Sequence, residues 1–575
     1  MPTNAEIADI FDQVADLLEF QNANAFRVRA YRNAARTITN LTEPLAGIAA
    51  DANRKLTDID GIGADLATKI KQLVETGSLP MLTELQAQVP ASVLALVRVA
   101  GLGPKKAAAL HKELGINSLD ELRQACVDQK VRALKGFGAK TEATILAGLE
   151  LATTSQDRML WAEADEIVAA VRAYLAECPG VEQLEAAGSY RRGKETVGDL
   201  DFLVTATDGN AVMDRLAAFG GVTQIIGRGD TKMSVRLRTG MQVDLRVVPA
   251  ESFGAALQYF TGSKEHNVVL RGRAKDRGLK LNEYGVFRGD EFIAGRTEEE
   301  VYRALELPCF PPEIRESRGE FEWAAQGELP RLIELGDLVG DLHMHTTETD
   351  GKASLEEMVA AAQARGLRYI AITDHSQRVS MANGLNGERA RRQWEQIDRL
   401  NAKLKDFRVL KGIECDILEK GGMDLPDDVL READWVVASV HYGQNQPREQ
   451  ITRRIIDALR NPYVSAIAHP TGRLINRRKA YEVDLDEVYA VAKAERKFLE
   501  LNANPWRLDL DDVACAAAKR HGIPIVISTD AHSVRDLDKM RYGVLQARRA
   551  GLTKKDVANT RPWDELRTLL GSHGG

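Results

Sequence analysis

The chain has 575 residues, of which 44% are hydrophobic and 28% charged, and its net charge is −7. At about 150 residues per domain this length predicts three or four domains, and the composition is that of an ordinary soluble protein. A negative balance excludes a protein that grips nucleic acid by bulk charge. Any DNA contact has to use local basic clusters, such as Arg191, Arg192 and Lys194 or the stretch Arg271 to Lys280, together with backbone N–H groups. The five cysteines, at 126, 178, 309, 415 and 515, are scattered without a CxxC, which speaks against a disulfide frame or a zinc ribbon. Glu6, Asp9, Asp12, Asp16 and Glu19 are wrong for a signal peptide, and no apolar run approaches the roughly 18 residues of a membrane span. The expectation is a cytoplasmic protein without membrane contact.

Residues 1–150 read as helical. Ile7, Ile10, Phe11, Val14, Leu17 and Leu18 recur at helical spacing and predict an amphipathic core helix. Gly61-Ile62-Gly63, Gly101-Leu102-Gly103 and Gly136-Phe137-Gly138 each follow an apolar residue and open a helix containing lysine or arginine. In this helix-hairpin-helix pattern the glycines let backbone approach a phosphate, and the next helix offers its unpaired N–H groups. One such tripeptide is also what an ordinary helix end looks like; three in one helical stretch favour sequence-indifferent binding of the DNA backbone.

Gly188 to Val204, GSYRRGKETVGDLDFLV, carries two features that ask for the same ligand. As a strand, 199–204 puts Asp199 and Asp201 on one face, where two carboxylates repel unless a cation sits between them. The turn Gly188-Ser189 before Tyr190-Arg191-Arg192 supplies a hydroxyl, backbone N–H groups and guanidinium for phosphate. Asp-x-Asp alone is an ordinary solvated strand edge; beside a phosphate cradle it reads as nucleotidyl transfer. Ser234 to Val248 predicts a hairpin with Val235, Leu237, Val243, Leu245 and Val247 on one face and Arg236, Arg238, Gln242, Asp244 and Arg246 on the other. Asp244 is thus the candidate third acid, joining Asp199 and Asp201 around two magnesium ions.

With Tyr259-Phe260-Thr261-Gly262-Ser263 and Asn282-Glu283-Tyr284, the stretch from about 185 to 290 resembles the family X DNA polymerases, of which DNA polymerase beta is the familiar member. The resemblance implies that Asp199 and Asp201 hold both Mg2+ or Mn2+ ions and that Asp244 holds the one activating the primer 3′-hydroxyl. It further implies that Ser189, Arg192 and Gly198 hold the triphosphate and that Tyr259, Phe260 and Gly262 line the sugar side. Asn267 would touch the incoming base and Arg271 the template. Lys264 and Gln242 depart from the polymerase beta pattern, which has an acid and an arginine at these places. The segment from Gly61 to Lys69 is similar to that family's lyase segment, with Lys69 on the Schiff-base lysine and Tyr31 on an associated tyrosine. Asp65 and Ser78 stand where the animal enzyme has lysines, and Lys69 reads equally as a solvated helix lysine.

The proline pair and dense charges of 309–320 predict a joint without a core of its own, followed by helical apolar spacing over 328–338. Beyond it, six of the ten histidines sit at the ends of predicted strands. Asp341-Leu342-His343-Met344-His345 places two imidazoles on one side of a strand. Apolar runs then end in a potential ligand at His375, Glu414, His441, His469, and Asp530 with His532, and FLELNAN at 498–504 is one more such strand. Seven buried strands alternating with helices predict a parallel barrel with its site at the strand carboxyl ends. Imidazoles with Asp350, Glu414 and Asp530, and no thiolate, suit zinc, manganese or iron better than magnesium alone. Two or three such ions would activate a water and clamp a phosphate, implying phosphoester hydrolysis.

This constellation resembles the polymerase and histidinol phosphatase (PHP) domain over 341–535. The resemblance implies one metal on His343, His345, Glu414 and Asp530, a second on Glu414, His441 and His469, and a third on Asp350, His375 and His532, zinc or manganese among them. A family X polymerase followed by a PHP domain is the arrangement of the bacterial family X polymerases, which fill short gaps and trim 3′ ends; some also cut at abasic sites. The expected chain is therefore an all-α helix-hairpin-helix region (1–150), an α+β nucleotidyltransferase palm with thumb (151–310), a linker (311–340) and a distorted TIM-like (β/α)7 barrel (341–575). Its expected partners are gapped or nicked duplex DNA and deoxynucleoside triphosphates, and it is expected to be a monomer. A second reading makes the barrel nuclease the main activity, the polymerase-like part positioning DNA. A non-catalytic scaffold is a third, countered by a competent residue at every ligand position.

Overall fold

The computed structural model describes residues 4–570, apart from 22, 40–44, 52–53, 60, 89–95, 97–98, 100–101, 135, 140, 147–148, 150–157 and 328. The amino-terminal part is helical. Helices Asn4–Phe20 and Ala25–Thr39 pack together because Ile7, Phe11, Val14, Leu17 and Leu18 line one side of the first, and Tyr31 meets Phe11 edge-on at 5.5 Å. Helices Ala64–Thr76 and Pro104–Leu114 end at Gly77 and Gly115, whose left-handed φ of +68° and +65° lets each N–H turn back to the preceding turn's carbonyls.

The palm is a five-stranded sheet in the order Val181–Ala186, Asp199–Ala206, Gln242–Val247, Lys232–Leu237, Val222–Arg228. Leu200, Phe202, Val204, Val235, Val243 and Leu245 form its apolar face, packed with Val168, Val171, Val212 and Met213 from helices Trp161–Ala176 and Gly209–Ala217. On the opposite face Leu203 meets Phe253, Ala256 and Leu257 of helix Phe253–Thr261. That leaves Asp199 and Asp201, on the same face as Leu203, at the uncovered end of the strand.

The thumb combines helices Lys264–Asp276 and Glu298–Ala304 with a three-stranded antiparallel sheet over 280–294. Here the structure corrects two expectations. The segment 309–320 does have a core, since Phe310 and Ile314 are buried with Leu270, Val301, Tyr302 and Phe321. Its charges are buried in pairs, Arg315 with Glu298 and Glu320 with the imidazole of His266 at 2.8 Å, so a charge-rich sequence conceals a packed one. Residues 329–338 form a bridge and a 3-10 turn at Leu335–Asp337 instead of the expected helix, because Leu332 and Ile333 are drawn into cores on either side.

Seven parallel strands follow, Gly340–Asp341, Tyr369–Ile372, Arg408–Asp416, Trp435–Ser439, Ala466–Ile467, Phe498–Asn502 and Ile525–Ser528, hydrogen-bonded in that order. A bridge between Met344 and Ala531 nearly closes the sheet into a barrel, with His345 N–H donating to the Ala531 carbonyl at 2.8 Å. Alternation sorts the side chains: Ile370, Ile372, Val436 and Ala438 face the outer helices, while Ala371, Trp435, Val437 and Phe498 fill the interior. Trp563 and Leu566 from helix Trp563–Leu569 stop the end opposite the histidines. Among the described residues no helix is long and apolar enough to cross a membrane.

Candidate active sites and nucleic-acid interface

The three Gly-x-Gly loops share one backbone pattern. Ile62, Leu102 and Phe137 are buried, and their N–H groups donate to the residue three earlier, Ile59, Val99 and Leu134, at 3.0 Å in each case. Gly63, Gly103 and Gly138 then accept from the opening turn of the next helix, Ala67, Ala107 and Glu142. A Cβ at any of these last glycines would meet nothing within 4 Å, so no internal packing demands glycine there. The open side is where a phosphate backbone can approach helix N–H groups. Gly101 lies outside the described residues.

In the palm, Asp201 stands opposite Asp244 across a parallel strand pair, and Asp199 is two residues along the same face opposite Gln242. The three acids thus converge. Burial, then the charges of Asp199 and Asp244, push the Asp201 carboxyl up to about 7, which is what acids gathered for a cation show without one. Asp244 goes the other way: against its burial, hydrogen bonds from Ser234, Lys232 and Gln242 hold it below its ordinary value. Lys232 Nζ and Gln242 Nε2 each lie 3.0 Å from a different Asp244 oxygen. Gln242 therefore occupies the acid's flank where the family pattern has arginine, and Lys232 supplies the cation.

The cradle abuts these acids. Gly188 has a φ of +64°, and a Cβ there would lie 2.6 Å from Asp201 Oδ2, so only glycine lets the turn come this close. Ser189 follows it in the short helix Gly188–Arg191, and Gly198 precedes Asp199. The cluster Arg191, Arg192 and Lys194 is not free for DNA, which corrects that expectation. Arg191 forks onto Glu298 at 2.7 and 2.9 Å; Arg192 Nε and Lys194 lie 3.0 and 3.6 Å from Glu316. Arg192 Nη1 also donates to the Thr261 carbonyl, and its Nη2 has no partner among the described residues. Tyr259 and Phe260 stand edge to face at 5.1 Å, and Arg246 covers Phe260 at 4.2 Å. Gly262 has a φ of +71°, and its peptide to Ser263 is cis. Asn267 is spent on internal bonds, donating to the Tyr259 carbonyl at 2.8 Å and accepting from Gln258 at 2.7 Å, with its second N–H left over. Arg271 is exposed on helix Lys264–Asp276.

At the barrel mouth the structure brings together all nine predicted residues. Three sets have ligand atoms within 4.8 Å of one another: His345, Asp350, His375 and His532; His343, His345 and Asp530; His375, Glu414 and His441. His345 and His375 each belong to two sets, a sharing the sequence did not imply. His469 reaches Glu414 Oε1 at 3.1 Å. His343 Nε2, His345 Nδ1 and His469 Nδ1 are buried without hydrogen-bond partners, and His375 Nδ1 and Glu414 Oε2 face each other at 2.7 Å without hydrogen-bond geometry, a set that bound cations would satisfy. Despite burial, facing imidazoles hold Glu414 and Asp530 well below their ordinary range, and Glu414 with Asp350 outweighs burial to push His375 up to about 10. Burial with His532 and His375 pushes His345 down to about 3. These donors fit divalent metal ions.

Several supporting residues escaped the sequence reading. Glu500, fully inside the barrel, accepts from His343 Nδ1 at 2.7 Å and from the His469 N–H at 2.6 Å. That bond fixes the His343 tautomer and leaves Nε2 to face the cluster. Asp416 does the same for His441, 3.2 Å from Nδ1, and the Asp530 carbonyl for His532 at 2.8 Å. Arg507 lies 3.6 Å from Asp530. The signal was there in principle, since Glu500 falls on the inward period of its strand, but an acid in FLELN carries no motif. At the other end of the chain Lys69 Nζ is bonded to Asp65 and sits 5.9 Å from the Tyr31 ring. Its amine must leave that carboxylate before it can act as a nucleophile.

A triad of acids beside a phosphate cradle, with an imidazole-lined barrel on the same chain, defines a nucleotidyltransferase joined to a metal-dependent phosphoesterase. Comparison with known proteins gives the same partition. The chain matches the families described as helix-hairpin-helix domain over 2–79, SAM-like helix-hairpin-helix tandem over 93–151, DNA polymerase beta palm over 158–231, DNA polymerase beta thumb over 256–316 and PHP domain over 341–504. It is 40% identical to the DNA polymerase/3′-5′ exonuclease PolX of Bacillus subtilis (strain 168), covering 98% of this chain and 99% of that one. It is 28% identical to rat DNA polymerase lambda over 54% of the chain and 56% of the relative, and 30% identical to a probable phosphatase of Thermoanaerobacter sp. (strain X514) over 39% and 91%. The chain belongs to the PolX family, the bacterial family X DNA polymerases that carry a PHP domain.

Proposed function

We propose that the protein is a template-directed, gap-filling DNA repair polymerase with a metal-dependent 3′-5′ exonuclease in its PHP barrel. The observation that carries the polymerase reading is the register that sets Asp201 against Asp244 with Asp199 beside them. In this reading the three acids hold Mg2+ or Mn2+, Ser189, Arg192 and Gly198 bind the triphosphate, and Tyr259, Phe260 and Gly262 line the sugar. Asn267 faces the incoming base with its remaining N–H, and Arg271 meets the template. His343, His345, Asp350, His375, Glu414, His441, His469, Asp530 and His532 hold two or three zinc or manganese ions. When bound, such ions supply Lewis acidity and an activated water for phosphoester cleavage. Glu500 and Asp416 orient the imidazoles for that task.

Residues 1–150 read as the DNA-backbone clamp, 151 to about 325 as palm and thumb, and 341–575 as the nuclease. Because one chain supplies every residue of both sites, we take the active form to be a cytoplasmic monomer acting on gapped or nicked DNA. Asp244→Ala should slow primer extension about a thousandfold, equivalent to roughly 4 kcal/mol of transition-state stabilisation, and leave 3′ trimming intact. His343→Ala with His345→Ala should do the reverse. Extension surviving the first change at its original rate would refute the polymerase reading.

A further inference from the structure

The cradle loop is built from both halves of the molecule. Helix Met540–Arg549, at the outside of the barrel, lies against it. Gly193 has a φ of +66°, and a Cβ there would fall 2.6 Å from Leu545 Cδ1, so the loop and the helix touch backbone to side chain. Trp161 stacks on Tyr190 at 5.1 Å, donates to the Tyr190 carbonyl at 2.8 Å, and meets Tyr542 of the same helix edge-on at 5.9 Å. Arg473 from the barrel pairs with Glu195 at 2.6 Å.

At the centre stands Arg549, whose side chain is only 2% exposed. Its Nη1 donates to the Arg192 carbonyl at 2.6 Å and to Glu316 at 3.0 Å, and its Nη2 to Asp512 at 2.7 Å. Glu316 is the carboxylate that accepts from Arg192 Nε at 3.0 Å. Arg549 thus fixes both the main chain of Arg192 and the anion that aims its guanidinium. A planar fork suits this task, since one group must satisfy a carbonyl and two carboxylates in set directions.

We propose that Arg549, though it belongs to the phosphoesterase barrel, is a positioning residue of the polymerase, holding Arg192 in the pose that presents Nη2 to the nucleotide's phosphates. This rests on Arg192 being a triphosphate contact. Without Arg549, Glu316, Asp512 and the Arg192 carbonyl lose a shared buried donor, and Glu316 is left to claim Arg192 more fully. The nucleotide should then bind more weakly, while the nuclease, whose ligands do not touch Arg549, is unaffected.

The test is steady-state extension on gapped DNA with the full chain, alongside 3′ trimming. Arg549→Ala should raise the KM for deoxynucleotide about tenfold, as loss of a charge-assisted bond predicts, with kcat and trimming changed by no more than about twofold. Arg549→Lys, which keeps a charge but not the fork, should fall between, and it decides the matter if the alanine variant does not fold. Arg541→Ala, which breaks a different contact between the halves, to Asp165 at 2.9 Å, should leave the KM unchanged. Arg192→Ala separates the two readings. If it does not raise the KM, the cradle assignment falls and the proposal with it. If it does, while both Arg549 variants keep the original KM, the proposal alone is overturned. Equal effects from Arg541→Ala, or loss of trimming in both Arg549 variants, would reduce Arg549 to a structural residue and also overturn it.

Discussion

At Asp201 a proton and a cation compete for one place. The carboxyl is held up to about 7 by its burial and by Asp199 and Asp244, so below that pH the metal-free site carries a proton. Binding Mg2+ has to expel it. Apparent Mg2+ affinity should therefore be full above about pH 7 and weaken as pH falls, by about tenfold for each unit below. The Mg2+ concentration giving half-maximal primer extension, measured from pH 6 to pH 8.5, should therefore climb on the acid side and level off on the alkaline side. A flat profile would mean that Asp201 is already paired with a cation that the residues named here do not supply. The acids themselves were legible in the sequence, since a strand's period of two fixes their face. Their helpers were not, because Lys232 reaches Asp244 only through strand pairing and Glu500 meets His343 from a position 157 residues away.

At the scale of elements, short-range patterns told most. The three Gly-x-Gly loops could be read because their geometry is local: an apolar anchor, a turn back by three residues and a helix start. The openness around Gly63 makes a clean test. Its φ of −77° suits any residue, and a Cβ there meets nothing within 4 Å, so Gly63→Val should leave the fold's melting temperature nearly unchanged. The added side chain would stand where a phosphate must come close, and affinity for gapped DNA should fall about tenfold, with a shallower salt dependence. Anisotropy titrations at two salt concentrations check both. Unaltered binding would remove this loop from the DNA interface. The segment 309–320 misled for the opposite reason. Its partners, Glu298 and His266, come from elements that no local pattern connects to it.

For the whole molecule the sequence announces two machines in series but not that they share a wall. Arg549 and Arg192 lie 357 positions apart, and neither carries a pattern that names the other. What joins them in space also joins them in stability. Glu414 and Asp530 are buried and held well below their ordinary range by the imidazoles around them, a cluster of donors that a divalent ion can bridge. Metal that binds the folded barrel and not the unfolded chain adds RT ln(1 + [L]/Kd), about 2.7 kcal/mol at a hundred times Kd. Stripping the protein with a chelator should accordingly lower the melting temperature by roughly 3 °C where palm and barrel unfold as one unit. Zinc or manganese should restore it and magnesium should not, because imidazole donors favour the former. Since Arg549, Arg473 and Leu545 tie the barrel to the cradle loop, palm unfolding should move with it, and calorimetry should record one shifted transition for both. A palm transition that stays in place while the barrel's moves would show the two halves to be energetically separate, and a melting curve indifferent to chelation would leave the imidazole cluster without its metal.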